Sequence, residues 1–289
     1  MTLPDSISVD ARAKVNLSLR ILAREASGYH TIETVFCLIT LADQITVERT
    51  APGVSLEAAG SDLGPTEENL AVRAARAVLG ATGDRFGVRV HLAKQIPPRA
   101  GLGGGSSDAA AVLMAVNRLA GDAVPHAELL QLGARLGSDV PFFLSGAPLA
   151  LAWGRGDRLL RLPPLPERPV LLAVPHHGVA TPDAYAWWDQ AFPEAVRRGP
   201  VVLDGEVFSS WGSAARAGGN DFETVVFGRR PDIRALFENM TLTHPLLCRM
   251  AGSGAAVFAV YRDEPARHDA ALQLGTRDWG LIETATIAA

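Results

Sequence analysis

From Ile7 to Ile21 the chain alternates without a break. Ile7, Val9, Ala11, Ala13, Val15, Leu17, Leu19 and Ile21 are apolar; Ser8, Asp10, Arg12, Lys14, Asn16, Ser18 and Arg20 between them are polar. Successive side chains of a β-strand point to opposite faces, so this pattern specifies one long strand with an apolar and a polar face. Strands buried on both faces of a parallel sheet read instead as continuous apolar runs. The alternation therefore points to an α+β fold, not a doubly wound parallel sheet. Lys14 and Asn16 project from the same face, about 7 Å apart along the strand.

Further strands are expected over 34–40, 44–49, 54–58 and 88–93, and helices over 69–79 and 126–136. A hairpin is expected over 147–160, followed by the Pro-rich connector Leu162-Pro163-Pro164-Leu165-Pro166-Glu167-Arg168-Pro169. After it come a buried strand over 170–174, helices over 181–191 and 221–227, and a glycine turn from Met250 entering a strand over 256–261. The composition shift near Leu151–Pro169 places two domains at 1–155 and 156–289.

Between the 88–92 strand and a helix over 108–119 lies Ala100-Gly101-Leu102-Gly103-Gly104-Gly105-Ser106-Ser107. Its glycines allow a sharp turn and close approach of an anion to the backbone. The serines open a helix whose free N–H groups and positive dipole end attract negative charge. The segment is not a Walker A loop, because no Lys precedes the Ser, and it lacks the acidic residue that completes a dinucleotide fingerprint. A plain flexible turn is the competing reading.

With 48% hydrophobic residues in 289, the chain can build one large or two ordinary cores. A net charge of −4, with only 6% aromatics and no long basic run, argues against a nucleic-acid surface. The apolar stretches are too short to span a bilayer, and no basic-then-apolar leader opens the sequence, so a cytoplasmic protein is expected. Cys37 and Cys248 read as reduced core residues. The seven His show no metal-ligand spacing.

Several residues carry two readings. Asp139, in Gly137-Ser138-Asp139-Val140-Pro141, is either a helix N-cap or a general base beside the glycine loop. Lys14 is either a solvated strand charge or a cation for a moving phosphate. Gly28-Tyr29-His30 is either a turn or an aromatic plate beside an imidazole that reads a base. Gly252-Ser253-Gly254-Ala255 is either a turn or a second set of phosphate-facing N–H groups.

In order along the chain, Ala13-Lys14-Val15-Asn16-Leu17, Gly28-Tyr29-His30, residues 100–109, Gly137-Ser138-Asp139-Val140-Pro141, Asn220-Asp221-Phe222-Glu223 and Gly252-Ser253-Gly254-Ala255-Ala256-Val257-Phe258 resemble the motifs of the GHMP kinases. The Gly-Tyr-His segment resembles that of members acting on a cytidine diphosphate-linked methylerythritol. Met250-Ala251 before Gly252, and Arg99, depart from the usual pattern.

The resemblance implies a two-domain GHMP kinase fold with the active site in the interdomain cleft, and an ATP-dependent kinase of isoprenoid precursor synthesis. It implies ATP held by Pro98, Ala100, Gly101, Leu102, Gly103, Gly104, Gly105, Ser106 and Ser107, with adenine near Asn69 and Mg²⁺ near Ser106 or Ser107. Asp139 would take the proton of the substrate 2-hydroxyl, and Lys14 would hold that hydroxyl. Cytosine would lie between Tyr29 and Tyr185, with His30 on its polar edge. Asn16, Thr181, Gly252 and Ser253 would contact the substrate. The partner implied is that small molecule alone, with no nucleic acid or membrane, and a monomer or weak homodimer is expected. A homoserine- or mevalonate-type kinase and a non-catalytic RNA-binding module are the alternatives.

Overall fold

The structure, a computed structural model, describes residues 3–59, 65–193, 205–275 and 279–288. It divides into two compact units, each discontinuous in sequence. The first is Met1–Ala13, Leu41–Ile96 and Gly103–Gly146; the second is Lys14–Thr40, Pro97–Leu102 and Ala147–Ala289. Two long strands, β1 (Ser6–Arg24) and β2 (His30–Thr50), contribute residues to both. A chain with such strands has no single point at which one unit stops and the other begins.

In the first unit, β3 (Val54–Ala59) runs parallel to β4 (Gly87–Ala93), and β4 pairs antiparallel with the Gln44–Thr50 part of β2. The two strands expected over 34–40 and 44–49 are one, because Leu41, Ala42 and Asp43 stay extended. Among the described residues the unit also holds the α-helices α1 (Leu70–Ala81), α2 (Gly104–Leu119), α3 (His126–Leu136) and α4 (Val140–Ser145). Val72, Ala75 and Val78 of α1 recur at helical spacing and are fully buried, as are Val112, Leu113 and Val116 of α2. Burying each such Val or Leu contributes about 1.5–3 kcal/mol.

In the second unit, the Ile32–Cys37 part of β2 pairs antiparallel with β5 (Leu149–Gly154), which forms the expected hairpin with β6 (Arg158–Arg161). A separate antiparallel sheet runs in the order β10 (Trp279–Ala285), β7 (Pro169–Pro175), β9 (Val257–Val260), β8 (Leu247–Met250). Against it pack α6 (Trp211–Ala217), α8 (Pro231–Thr241) and α9 (Glu264–Leu274), while α5 (Thr181–Ala191) packs on α7 (Asp221–Arg229) and α7 on α8. Its core joins Leu19, Ile21, Ile32, Leu171, Trp188, Phe222, Ile233, Leu236, Met240 and Tyr261. Cys37 and Cys248 are buried free thiols, each pushed up to about 12 by that burial. No described helix is long and apolar enough to cross a membrane.

Candidate active site

The polar face of β1 is exposed at Ser8, Asp10 and Arg12 and buried from Lys14 to Ser18. Lys14, Asn16 and Ser18 are 4%, 1% and 2% exposed. Buried polar side chains persist when bonded, and those of Lys14 and Asn16 are. Lys14 Nζ donates to Asn16 Oδ1 at 2.9 Å and lies 5.0 Å from the centre of the Phe36 ring. The same Asn16 Oδ1 accepts the Gly252 N–H at 3.0 Å, and Asn16 Nδ2 donates to Thr34 Oγ1 at 2.8 Å. Thr34 in turn donates to the Ser18 carbonyl at 2.6 Å.

The 250–254 turn is fixed from a second direction. Asn220 caps α7 through its side-chain oxygen, while its Nδ2 donates to the carbonyls of Met250 and Gly252 at 2.8 and 2.7 Å. Ser253 Oγ lies 2.9 Å from Thr181 Oγ1 at the start of α5. Gly101 crosses this turn backbone to backbone. It sits at φ +80°, and a Cβ there would fall 1.9 Å from the Ala251 carbonyl oxygen. Beside it the Ala100 carbonyl accepts Ala256 N–H at 3.2 Å and the Leu102 carbonyl accepts Lys14 N–H at 3.0 Å. Pro98 is exposed, and Arg99 takes φ +55°. Lys14, Asn16, Gly101, Thr181, Gly252 and Ser253 thus form one connected set in the second unit.

In the first unit, α2 begins at Gly104, four residues before the expected start, so the last two glycines and both serines form its first turn. Gly103, at φ +74°, stands at the cap position, and the first intrahelical bond runs from Ser107 N–H to its carbonyl at 2.9 Å. The N–H groups of Gly104, Gly105 and Ser106 carry no bond within the helix, which leaves three aligned donors at the positive dipole end. A Cβ on Gly105 would meet only Leu70 Cδ1, at 3.8 Å, and the backbone there is ordinary helix. Neither packing nor conformation requires glycine at that position. Asn69 caps α1, its Oδ1 accepting Ala71 N–H at 2.9 Å.

Behind the first turn of α2 lies a buried charge cluster absent from the sequence reading. Lys94 bridges Asp43 and Asp108, with Nζ 2.8 Å from Asp108 Oδ2. Asp43, fully buried inside β2, also accepts the N–H groups of Gln95 and Ile96 at 2.5 and 2.8 Å. Burial pushes the Asp108 carboxyl up to about 7, against the pull of Lys94 and with the Asp43 charge adding to the rise.

The Asp139 loop approaches the same helix end: a Cβ on Gly137 would sit 3.6 Å from Ser106 Oγ. Asp139 occupies the cap position of α4, but its carboxylate makes no capping bond. The N-cap reading describes its place and not the work of its side chain. Ser107 is buried and Ser106 half-buried.

Tyr29 is 58% exposed, with the Arg155 guanidinium 4.1 Å from its ring centre and Arg155 in turn paired with Glu25. His30 is buried and stacks on Tyr185, centroids 4.5 Å apart and planes 18° from parallel. One face of Tyr185, expected to flank a base, is therefore covered by His30, and the His30 Nε2 is 2.7 Å from Asp189 Oδ1. Asp189, Thr34 and the Lys94 cluster were not singled out by sequence. Asp189 had a signal, falling one helical turn after Tyr185. No His/Cys/Asp/Glu cluster able to hold a metal occurs among the described residues.

The family of GHMP kinase N-terminal domains matches residues 69–147. The 4-diphosphocytidyl-2-C-methyl-D-erythritol kinase of Moorella thermoacetica is 39% identical over 269 residues, 91% of this chain and 93% of its own. A crystal structure of 4-(cytidine 5'-diphospho)-2C-methyl-D-erythritol kinase matches with a TM-score of 0.80 at 36% identity, covering 97% of this chain and 99% of its own. A homoserine kinase structure from Cytophaga hutchinsonii, 18% identical over 99% of this chain and 96% of its own with a TM-score of 0.74, shares the fold. With these relatives beside the helix-end donors and the buried lysine, the chain belongs to the GHMP kinases, among the 4-diphosphocytidyl-2-C-methyl-D-erythritol kinases, and is an ATP-dependent phosphotransferase.

Proposed function

We propose that the protein transfers the γ-phosphoryl group of ATP to the 2-hydroxyl of 4-diphosphocytidyl-2-C-methyl-D-erythritol, in isoprenoid precursor synthesis. One observation carries the substrate: identity to an enzyme of that name runs along nearly the whole of both chains. Phosphoryl transfer asks little covalent chemistry of a protein. It requires aligned reactants, positive charge near the moving group and a base for the accepting hydroxyl.

Asp139 is the base. Its carboxylate, half-buried and not spent on capping α4, takes the proton of the 2-hydroxyl as the oxygen attacks. Lys14 holds that hydroxyl and stabilises the charge that develops on the transferring oxygens. Its ammonium is aimed by Asn16, which is fixed by Gly252 and Thr34. The ATP phosphates lie over Gly101 to Ser107, on the free donors of α2, with Pro98, Ala100 and Leu102 shaping the turn and adenine near Asn69. Gly252, Ser253 and Thr181 contact the substrate.

Mg²⁺ favours oxygen ligands and keeps several waters beside phosphate oxygens. A lone half-buried hydroxyl at the phosphate end of α2 fits that habit, so Ser106 would hold the ion, which supplies charge neutralisation when bound. Tyr29 stacks the cytosine on the ring face away from Arg155, and Tyr185 serves by backing His30. The protein acts on this small molecule as a monomer or weak homodimer.

A coupled ADP-release assay with Mg·ATP tests the reading, comparing the cytidine substrate with the same polyol phosphate lacking cytidine. Turnover with the cytidine compound alone is expected. Equal turnover of both would refute the base-reading role, and no turnover of either would refute the substrate.

A further inference from the structure

His30 is gripped from two sides by one face of α5. Tyr185 lies flat against the ring, and Asp189, one helical turn further on, meets its Nε2 at 2.7 Å. The other oxygen of Asp189 lies 3.4 Å from Arg24 Nη1 at the end of β1. Stacking fixes the plane of the imidazole, and the in-plane bond fixes its rotation. An ionised carboxylate only accepts hydrogen bonds, so Nε2 carries the hydrogen. In the neutral ring Nδ1 is then a bare acceptor. Nδ1 makes no hydrogen bond to a described residue.

We propose that Asp189 is a positioning residue that fixes His30 Nδ1 as an acceptor, so that the site prefers a pyrimidine presenting an amino group there over one presenting a carbonyl. Cytosine offers its exocyclic N–H; uracil would set an oxygen lone pair against the nitrogen lone pair. The inference rests on the cytidine reading above and adds what enforces it. Asp189 also borders a cavity of about 110 Å³ lined by Ile21, Trp188 and Phe192, which Asp189→Ala would enlarge, so the isosteric Asp189→Asn is the companion variant.

The test uses CDP and UDP as probes of the whole protein, with ¹⁵N-labelled histidine. The His30 ring nitrogens should show hydrogen on Nε2 and none on Nδ1, and the Nδ1 resonance should move when CDP is added. CDP should bind about tenfold more tightly than UDP, the worth of one hydrogen bond. Asp189→Ala should erase most of that ratio, and Asp189→Asn, which keeps an acceptor oxygen, should restore part of it. Hydrogen on Nδ1, equal CDP and UDP affinities in the native protein, or a ratio unchanged in Asp189→Ala would each overturn the proposal. Phosphoryl transfer is measured separately. Loss of the kinase reading with the CDP preference intact would leave Asp189 in its role.

Discussion

Gly105→Ala should raise stability and lower ATP affinity in the same molecule. The added Cβ meets only Leu70 Cδ1, at 3.8 Å, an ordinary contact, and the backbone needs no left-handed conformation. Replacing glycine by alanine at a compatible helical site stabilises by about 0.4–1 kcal/mol, because the unfolded chain loses freedom. In the first turn of α2 the gain is about 0.5 kcal/mol, which for a chain of this size raises Tm by roughly 1 °C. The same methyl stands among the free N–H groups of Gly104, Gly105 and Ser106. If phosphate oxygens approach that backbone, the methyl holds them off. Loss of one charge-assisted hydrogen bond costs about 1.5–3 kcal/mol, an ATP Kd raised roughly ten- to a hundredfold. Thermal unfolding without nucleotide and calorimetric ATP titration separate the two effects. An unchanged ATP Kd would refute the phosphate cradle, and a lowered Tm would refute the claim that the site has room. Gly101→Ala is the contrast: at φ +80° and 1.9 Å from a carbonyl oxygen, it should damage the fold itself.

Asp139→Asn should lose most of kcat while ATP binding stays nearly intact, since a base acts chiefly in the transition state; normal single-turnover rates in that variant would remove Asp139 from the role. Tyr29→Ala should weaken binding of the cytidine substrate by roughly 1–3 kcal/mol if a base stacks there, read as a raised KM where binding is at equilibrium; an unchanged KM would sink the stacking. Asp108 titrates near 7 in the folded protein, chiefly from burial, against 3.8 for the ordinary group. The native state therefore binds more protons than the unfolded state across that window. This contribution is complete below about pH 4 and is lost as pH rises through about 7. Denaturant unfolding across that range should show the falling slope in the native protein and a flatter one in Asp108→Asn; identical slopes would contradict the assignment.

The alternation of β1 was legible in full, and so were the hairpin, α1, α3, α5 and the glycine loop. What the alternation could not reveal is which polar face meets solvent. Period two reports that Lys14, Asn16 and Ser18 share a side; only the residues that return from positions 34 and 252 decide that the side is buried. The same limit hid Asp43, whose partner Lys94 arrives on another strand's exit, 51 residues later. α8 was not expected, although Ile233, Leu236 and Met240 recur at helical spacing behind a proline in the first turn. The start of α2 was misplaced because glycine is a poor helix former; the helix there is held by its neighbours, not by its own propensity.

The choice of Asn at position 16 follows from the same network. Its oxygen accepts from both Lys14 and Gly252, and its nitrogen donates to Thr34, so both ends of the amide are engaged. An aspartate could accept the first two bonds but would have nothing to donate to Thr34, and it would bring a negative charge 2.9 Å from the ammonium. That pairing would spend the field of Lys14 on a neighbour and oppose the approach of phosphate. An amide holds the ammonium and adds no charge of its own beside it. A strand that only needed stability would gain more from an apolar residue here, because burying a charge costs several kcal/mol even when it is well bonded. A 4%-exposed lysine, bonded to an amide that is set against the turn carrying Ser253, is the arrangement on which the role proposed for Lys14 rests.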